Sequence, residues 1–388
     1  MKKVRVHDLT MTFQPDAMLM LRSSSRGVGA RVPLPAIGVL AFCSEPRSVE
    51  EVAAAMGKMG ASLFHGLVDA GLLVDPDQAA HTTVFFDNFA AVDIHRPMIG
   101  DAVRVDAYAR AIQQVVRPGM AVMDAGTGSG LLACMAAHAG ARVVYAVERS
   151  DLFDLAIEVV ARSGLADRVK PIRGDFAEVV LPEKVDVIVT ETFGALALAE
   201  GATADLRACA ERNLAPGGRV VPSGIDLWLA PVGDRVVFEK TVEVFGNVHG
   251  TDLSPLRGLA LQRGRNMDLT PDALLAPAKR WTSLKWPEEG EVSATLAFAD
   301  LPEGVLVGLA GWFTLHLAEG VDLPTGPGDP VTHWGQTYLP MEPVPVPTGA
   351  TLEVTAGLAP AEDDRRGVQA TGTWRLGDRQ GLLSHRVR

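Results

Sequence analysis

Between Val122 and Leu132 the chain reads V-M-D-A-G-T-G-S-G-L-L, and this stretch limits what the rest can build. An apolar run, Ala121 to Met123, ends at Asp124. Gly126, Gly128 and Gly130 follow at alternate positions, and apolar residues resume from Leu131 at helical spacing. The pattern predicts a strand, a tight glycine turn and a helix. Glycines reach backbone angles closed to other residues and let a ligand approach the main chain. The helix N-terminus beyond them offers N–H groups without intrahelical partners. Glu148 closes the next strand-like run, Val143 to Val147, where an acid is placed to accept hydrogen bonds from ribose hydroxyls. No Lys-Ser or Lys-Thr follows the glycines, which argues against a P-loop. At this point a dinucleotide-binding turn, another nucleotide-type site and a purely structural turn all stay open.

Composition narrows the class. A chain of 388 residues suggests two or three domains, and 47% hydrophobic residues are ample for packed cores. A net charge of −11 argues against a general nucleic-acid binder and suits a cationic substrate. Cys43, Cys134 and Cys209 sit in apolar, helix-like contexts without metal-ligand spacing. They read as buried free thiols of a reducing cytosol, so a cytoplasmic location and no metal are expected. The N-terminus lacks a signal-peptide core. No stretch approaches the ~18 consecutive apolar residues of a membrane span, so no membrane partner is expected.

The form D-x-G-x-G-x-G resembles motif I of class I S-adenosylmethionine (SAM) methyltransferases. Upstream, Phe85 to Arg104 read alone is an amphipathic helix pair, with His95 a capped or core histidine. Beside motif I, this segment resembles the opening of protein arginine methyltransferases, Y-F-x-x-Y…I-H-x-x-M-x-x-D-x-x-R, with Phe85, Phe86, Phe89, Ile94, His95, Met98, Asp101 and Arg104 at those positions. Both family tyrosines are Phe here. The resemblance implies that this segment folds over SAM. Arg104 would pair with the methionyl carboxylate, since a guanidinium is its natural partner. His95 and Met98 would lie at the same end, Phe86 would contact the cofactor and Phe89 the substrate. Asp175 and the Phe176 backbone would read the adenine edge; the family's acid slightly further on is Ala177 here.

A buried strand, Val185 to Val189, runs into Thr190-Glu-Thr-Phe-Gly-Ala-Leu-Ala-Leu-Ala-Glu200. Two acids nine residues apart bracket a small-residue turn at the edge where open α/β sheets bind substrate. The stretch resembles the family's double-E loop, S-E-W-M-G-Y-x-L-x-x-E, whose glutamates grip a guanidinium. Glu191 and Glu200 match. Thr192, Phe193 and Ala195 depart from the family pattern, which leaves arginine or histidine open as the acceptor. Further on, Thr332-His-Trp-Gly-Gln-Thr337 resembles the family's T-H-W-x-Q-T loop. It implies that His333 pairs with Asp101 and that Trp334, like Phe193, lines the substrate space. Leu214 to Pro222 reads as a loop and strand. Beyond it, alternating runs at 225–231, 291–298, 305–316, 350–356 and 369–376 predict an antiparallel barrel or sandwich. Residues 235–285 interrupt it with a more helical, polar insertion, in which V-H-G-T-D-L-S-P-L from Val248 resembles the family's dimerisation arm, V-Y-G-F-D-M-S, implying a homodimer.

At the N-terminus, short strands are expected at 4–12 and 16–22, and helices at Leu34–Phe42, from Ser48 to about Met59, and from about Ala61 to Ala70. Leu72 to Val74 reads as a closing strand. Ser48 and Glu51 make a capping box. The arrangement resembles the winged-helix recognition element of ribosomal-peptide biosynthesis (the pyrroloquinoline-quinone peptide chaperone type), which implies that residues 1–78 bind a leader peptide. The expected architecture is therefore α/β: a small α+β winged-helix domain (1–78), a Rossmann-like class I methyltransferase domain (84–222) and a β-barrel (223–388). The expected activity is SAM-dependent N-methylation of an Arg or His side chain in a precursor peptide, with S-adenosylhomocysteine as product. The alternatives are a general protein arginine methyltransferase and a non-catalytic SAM-binding regulator.

Overall fold

Short alternating runs near the N-terminus fold as antiparallel strands under two helices. The computed structural model describes residues 2–6, 9–13, 18–23, 28–76, 92–199, 202–286, 292–361 and 364–387. The chain divides into two compact units, Met1–Arg96 with Ser150–Leu152, and Pro97–Arg149 with Phe153–Arg388. In the first, β1 (Val4–Arg5) pairs with β5 (Leu73–Val74), and β2 (Leu9–Phe13), β3 (Met18–Ser23) and β4 (Val28–Pro33) form an antiparallel sheet. Leu19, Leu21, Leu40, Val52, Phe64 and Leu67 share a buried core with α1 (Ala36–Phe42) and α2 (Val49–Asp69). The capping box is formed: the Glu51 N–H donates to the Ser48 hydroxyl and the Ser48 N–H to the Glu51 carboxylate, worth about 1 kcal/mol.

Two expectations change in this unit. The strand expected at 4–12 is split, and β4 is added; its sequence V-G-A-R-V-P carries a Gly and a Pro, which weaken a strand signal. The two helices expected across 48–70 are both present, but the break between them falls at Gly57, whose φ of 69° suits glycine, and not near residue 60. Phe85, Phe86 and Phe89 lie outside the described residues.

In the second unit, α3 (Val92–Gly100, which begins in the first) and α4 (Ala102–Val115) lead to β6 (Ala121–Ala125). Then come α5 (Leu131–His138), β7 (Val143–Glu148), α6 (Leu152–Arg162), β8 (Val169–Arg173), β9 (Val185–Thr190), α7 (Ala202–Asn213) and β10 (Leu214–Val221). The strands form a parallel sheet in the order β10-β9-β6-β7-β8. All of β6 and β7 is buried, as helices on both faces of a parallel sheet require. The chain leaves β6 towards β7 on one side and later takes up β9 on the other. The strand order therefore reverses between β6 and β9, and the carboxyl ends of these two strands are where such sheets bind ligands. In register, Asp124 faces Val189 and Ala125 faces Thr190.

Beyond Pro222 the chain is antiparallel and barrel-like. One sheet runs β14 (Arg265–Met267), β19 (Gln336–Val346), β17 (Gly304–Ala318), β11 (Gly224–Val232), β15 (Lys279–Lys285), with β18 (Val321–Pro324) beside β17. The other runs β16 (Val292–Leu301), β20 (Ala350–Ala361), β21 (Asp364–Leu376), β22 (Arg379–Val387). The insertion at 235–285 is helical only in part. It holds α8 (Arg235–Thr241), a hairpin of β12 (Asn247–Val248) and β13 (Thr251–Asp252), and α9 (Ser254–Leu261). Its last third belongs to the barrel as β14 and β15, which pair with β19 and β11; a register shift in β15 lets both Trp281 and Leu284 be buried while Lys279 and Lys285 stay outside. No helix among the described residues is long and apolar enough to cross a membrane.

Candidate active site

The glycine turn is built from backbone hydrogen bonds that close on β7. The Gly126 and Thr127 N–H groups donate to the Val147 carbonyl, and the Gly128 N–H donates to Glu148 Oε2 at 2.8 Å. Gly126, Gly128 and Gly130 all have positive φ. A Cβ on Gly126 would lie 2.6 Å from Thr192 Cγ2, so the turn passes under the residue next to Glu191. Asp124 is fully buried at the end of β6. One carboxyl oxygen accepts from the Thr127 hydroxyl, while Oδ1 is buried without a hydrogen-bond partner. Burial pushes its pKa up to about 7.

That elevation has a consequence for stability. The folded chain holds a proton that the unfolded chain, with an ordinary value of 3.8, releases earlier. Stability from this group is fully present below pH ~4 and lost as pH rises through about 7, a loss of about 4 kcal/mol. Asp124→Asn stays neutral throughout. Its melting temperature is expected to exceed that of the parent by several degrees at pH 8 and to match it near pH 4. Thermal scans at the two pH values check this, and an equal difference at both would contradict it.

On the other side of the crevice, the start of the Glu191 loop is held in three ways. The buried Tyr108 phenol donates to the Thr190 carbonyl at 3.0 Å. The Thr190 hydroxyl donates to the Ala125 carbonyl at 2.9 Å and lies 3.1 Å from the Thr192 hydroxyl. Glu191 emerges between them and pairs with Arg104, both side chains being more than nine-tenths buried. Arg104 also donates to the Met98 carbonyl at 2.6 Å, and its buried Nε–H has no hydrogen-bond partner.

Asp101 caps α4, its Oδ1 accepting from the Arg104 N–H at 3.0 Å. Its Oδ2 accepts from the His333 N–H at 2.9 Å and faces His333 Nδ1 at 3.0 Å. Burial alone would raise the Asp101 carboxyl, but the hydrogen bonds from the Arg104 N–H and from His333 hold it below the usual value. The carboxylate is thus an acceptor, so Nδ1 carries the hydrogen. Burial lowers the His333 pKa and nearby Arg104 adds to this, outweighing the rise from Asp101. At neutral pH the ring is therefore uncharged, with its lone pair on Nε2.

The structure brings together Asp101, Arg104, Glu191 and His333, and separately Asp124, Gly126, Gly128, Gly130 and Glu148. Several placements differ from expectation. Arg104 is engaged with Glu191, a pairing no linear motif displays. Asp175 already has partners: Oδ2 accepts from Arg149 Nη1 at 2.7 Å and Oδ1 from the Ala177 N–H at 3.0 Å. Phe176 packs against the core. Phe193 and Trp334, expected to line the substrate space, are 4% and 5% exposed; their apolar rings are drawn into the core between sheet and barrel. The Trp334 indole N–H donates to the Phe193 carbonyl at 2.6 Å. His95 and Met98 are half-buried on α3. Glu200 lies outside the described residues.

The residues fit an adenosyl amino-acid cofactor. Two buried polar atoms, Asp124 Oδ1 and Arg104 Nε, have no hydrogen-bond partner, and the glycine turn leaves the main chain accessible where no side chain could stand. The fold and site define a SAM-dependent methyltransferase. Residues 108–227 match the family of ribosomal protein L11 methyltransferase (PrmA), and 225–379 match the arginine methyltransferase oligomerization subdomain. Protein arginine N-methyltransferase 6 of Xenopus laevis is 32% identical over 313 residues, covering 76% of this chain and 91% of that protein. Protein arginine N-methyltransferase 1 of Dictyostelium discoideum is 28% identical over 303 residues, 75% of this chain and 88% of that one. Among solved structures, the Trypanosoma brucei PRMT1 enzyme–prozyme heterotetrameric complex with AdoHcy superposes with a TM-score of 0.71 at 25% identity, covering 77% of this chain and 99% of that one. Arabidopsis thaliana protein arginine methyltransferase 10 gives 0.68 at 26% identity, with 78% and 99% covered. The chain belongs to the protein arginine N-methyltransferase family, and SAM is its methyl donor.

Proposed function

We propose that this chain methylates a side-chain nitrogen of arginine in peptides or proteins. The observation that carries the reading is the buried Glu191 at the carboxyl end of β9, where the strand order reverses, held beside Arg104 and the Asp101–His333 pair. A guanidinium is flat and cationic and presents its donors in a fork, so two carboxylates can hold it in one plane. We assign the clamp to Glu191 and Glu200.

Asp124, Gly126, Gly128, Gly130 and Glu148 would hold the adenosyl part, with Asp175 and Phe176 near the base. Phe86, His95, Met98 and Arg104 would cover the amino-acid end. SAM, when bound, supplies an electrophilic methyl group. Catalysis by the chain is then positioning plus electrostatics. Glu191 and Glu200 orient the acceptor and offset its charge, Phe89 borders it, and the proton leaves through the His333 Nε2 lone pair.

We divide the chain at residues 1–78, 84–222 and 223–388, with an arm at about 235–285. Exposed Val236, Val244, Val248, Leu256 and Leu259 on that arm, and Leu155, Ile157 and Val159 on α6, support a homodimer.

A second reading places the acceptor in a ribosomally made precursor peptide whose leader docks on residues 1–78. It is favoured by β4, which pairs with β3 alone among the described residues and so presents an edge that an extended peptide could extend.

One experiment tests both. The full chain is incubated with radiolabelled SAM and arginine peptides, with and without the leader encoded nearby, and hydrolysates are resolved by amino-acid analysis. Methylarginine is expected. Label in histidine would move the acceptor to an imidazole, and no label in any peptide would end the proposal. A rate independent of the leader would remove the second reading only.

A further inference from the structure

We infer that Trp334 is a positioning residue for the acid clamp, acting through its indole N–H on the Phe193 carbonyl without touching substrate. This rests on the reading of Glu191 as the acid that holds the acceptor. Trp334 sits in the turn Thr332–Gly335. Gly335 has φ 57°, and a Cβ there would meet the Met267 carbonyl at 2.8 Å, so the turn lies tightly against β14. Its exit is pinned by Gln336, whose Oε1 accepts from the Leu269 N–H at 2.7 Å and whose side-chain N–H donates to the Thr325 carbonyl at 2.8 Å.

From this fixed base the turn reaches in two directions. His333 goes to Asp101, the cap of the helix that carries Arg104. Trp334 goes to Phe193, two residues past Glu191. One four-residue turn thereby ties the Arg104 helix to the Glu191 loop. The Trp334 ring packs edge-on against Phe313 at 5.2 Å and lies 4.2 Å from the His333 ring. Its one polar atom is spent on Phe193, so the ring has no hydrogen bond left to offer a substrate.

The loop beyond needs such a constraint. Leu196 and Ala197 have φ of 52° and 55°, a conformation costly for side-chain-bearing residues that persists only when the surroundings over-determine it. Phe193 is gripped from two sides: its ring stacks on Trp286, 6.2 Å between centroids at 12°, and its carbonyl is held by Trp334. Without the second grip, the backbone between Glu191 and the left-handed pair is free to rotate about the Phe193 peptide.

Trp334→Phe keeps an aromatic ring and removes the donor. Replacement of Trp334 by benzothienylalanine, which keeps the bicyclic shape without an N–H, guards against a packing failure. Both are expected to lower kcat/KM for an arginine peptide about 10- to 100-fold, the cost of a small misplacement of a reacting group. SAM affinity should stay within about twofold, and the acid limb of the pH profile should not move, because His333 and Asp101 are untouched. Wild-type kcat/KM in the benzothienylalanine variant would overturn the inference, as would loss of SAM affinity in step with activity. Glu191→Gln measured alongside separates the failures. If that variant is inactive while both Trp334 variants behave as wild type, this inference alone falls; if it is fully active, the clamp reading falls.

Discussion

Glu191→Gln is expected to lower kcat/KM for an arginine peptide about 100- to 1,000-fold, the range found when one pre-organised hydrogen-bond partner of a transition-state charge is removed. The amide keeps the shape and one acceptor oxygen but loses the charge that fixes a guanidinium in plane. It also leaves Arg104, buried beside it, without its counter-charge. Removing one partner of a buried pair is costly, about 3–5 kcal/mol when the other stays ionised, so the melting temperature should fall. The cofactor end should respond differently, because Arg104 keeps its bond to the Met98 carbonyl and gains freedom to meet a carboxylate. Binding of S-adenosylhomocysteine, measured by calorimetry, is therefore expected to change by only a few-fold. Near-normal methylation by this variant, with intact binding, would remove Glu191 from the clamp.

What the sequence disclosed and what it concealed divide along physical lines. The glycine turn after β6 was legible because only glycine tolerates the positive φ there, and the acid closing β7 because strand tips sit at a fixed place in a parallel sheet. The partnership of Asp101 with His333 was readable only through motif order, since 232 positions separate them. The pairing of Arg104 with Glu191 was not readable, since nothing in a linear pattern says that two groups assigned to different ligands lie side by side. The inward turn of Phe193 and Trp334 was missed for a related reason: an aromatic near a site can line it or wall it, and the choice depends on which neighbours close over it. In the barrel, β19 was hidden by Pro340, Pro343 and Pro345, residues that argue against an interior strand. The strand survives because its pairing with β17 shifts register between Leu306 and Gly308, just where Pro340 stands opposite. A Cβ at Gly308 would meet the Tyr338 ring at 2.5 Å, so glycine is needed there. The closing strand β22 likewise depends on Gly381, which packs under the Trp374 ring.

The Asp101–His333 pair carries the prediction with the clearest signature in pH. In the proposed role His333 would have to be uncharged to accept a proton at Nε2, and burial has moved its pKa below the ordinary value of 6.5. Activity should therefore be full at neutral pH and fall only as pH drops through that depressed value, placing the acid limb below 6.5. His333→Gln removes the titrating group. It is expected to lower kcat about 100- to 10,000-fold, the usual worth of a positioned general base, and to abolish that limb, while SAM affinity holds. Asp101→Asn separates orientation from charge. The carboxylate raises the His333 pKa, so its loss should move the acid limb to still lower pH even as kcat falls, because the amide can present either an oxygen or an NH2 to Nδ1 and no longer fixes the tautomer. A profile in which Asp101→Asn shifts the limb upward, or in which His333→Gln retains it unchanged, would assign the titration to another group and leave His333 a structural tie between barrel and helix.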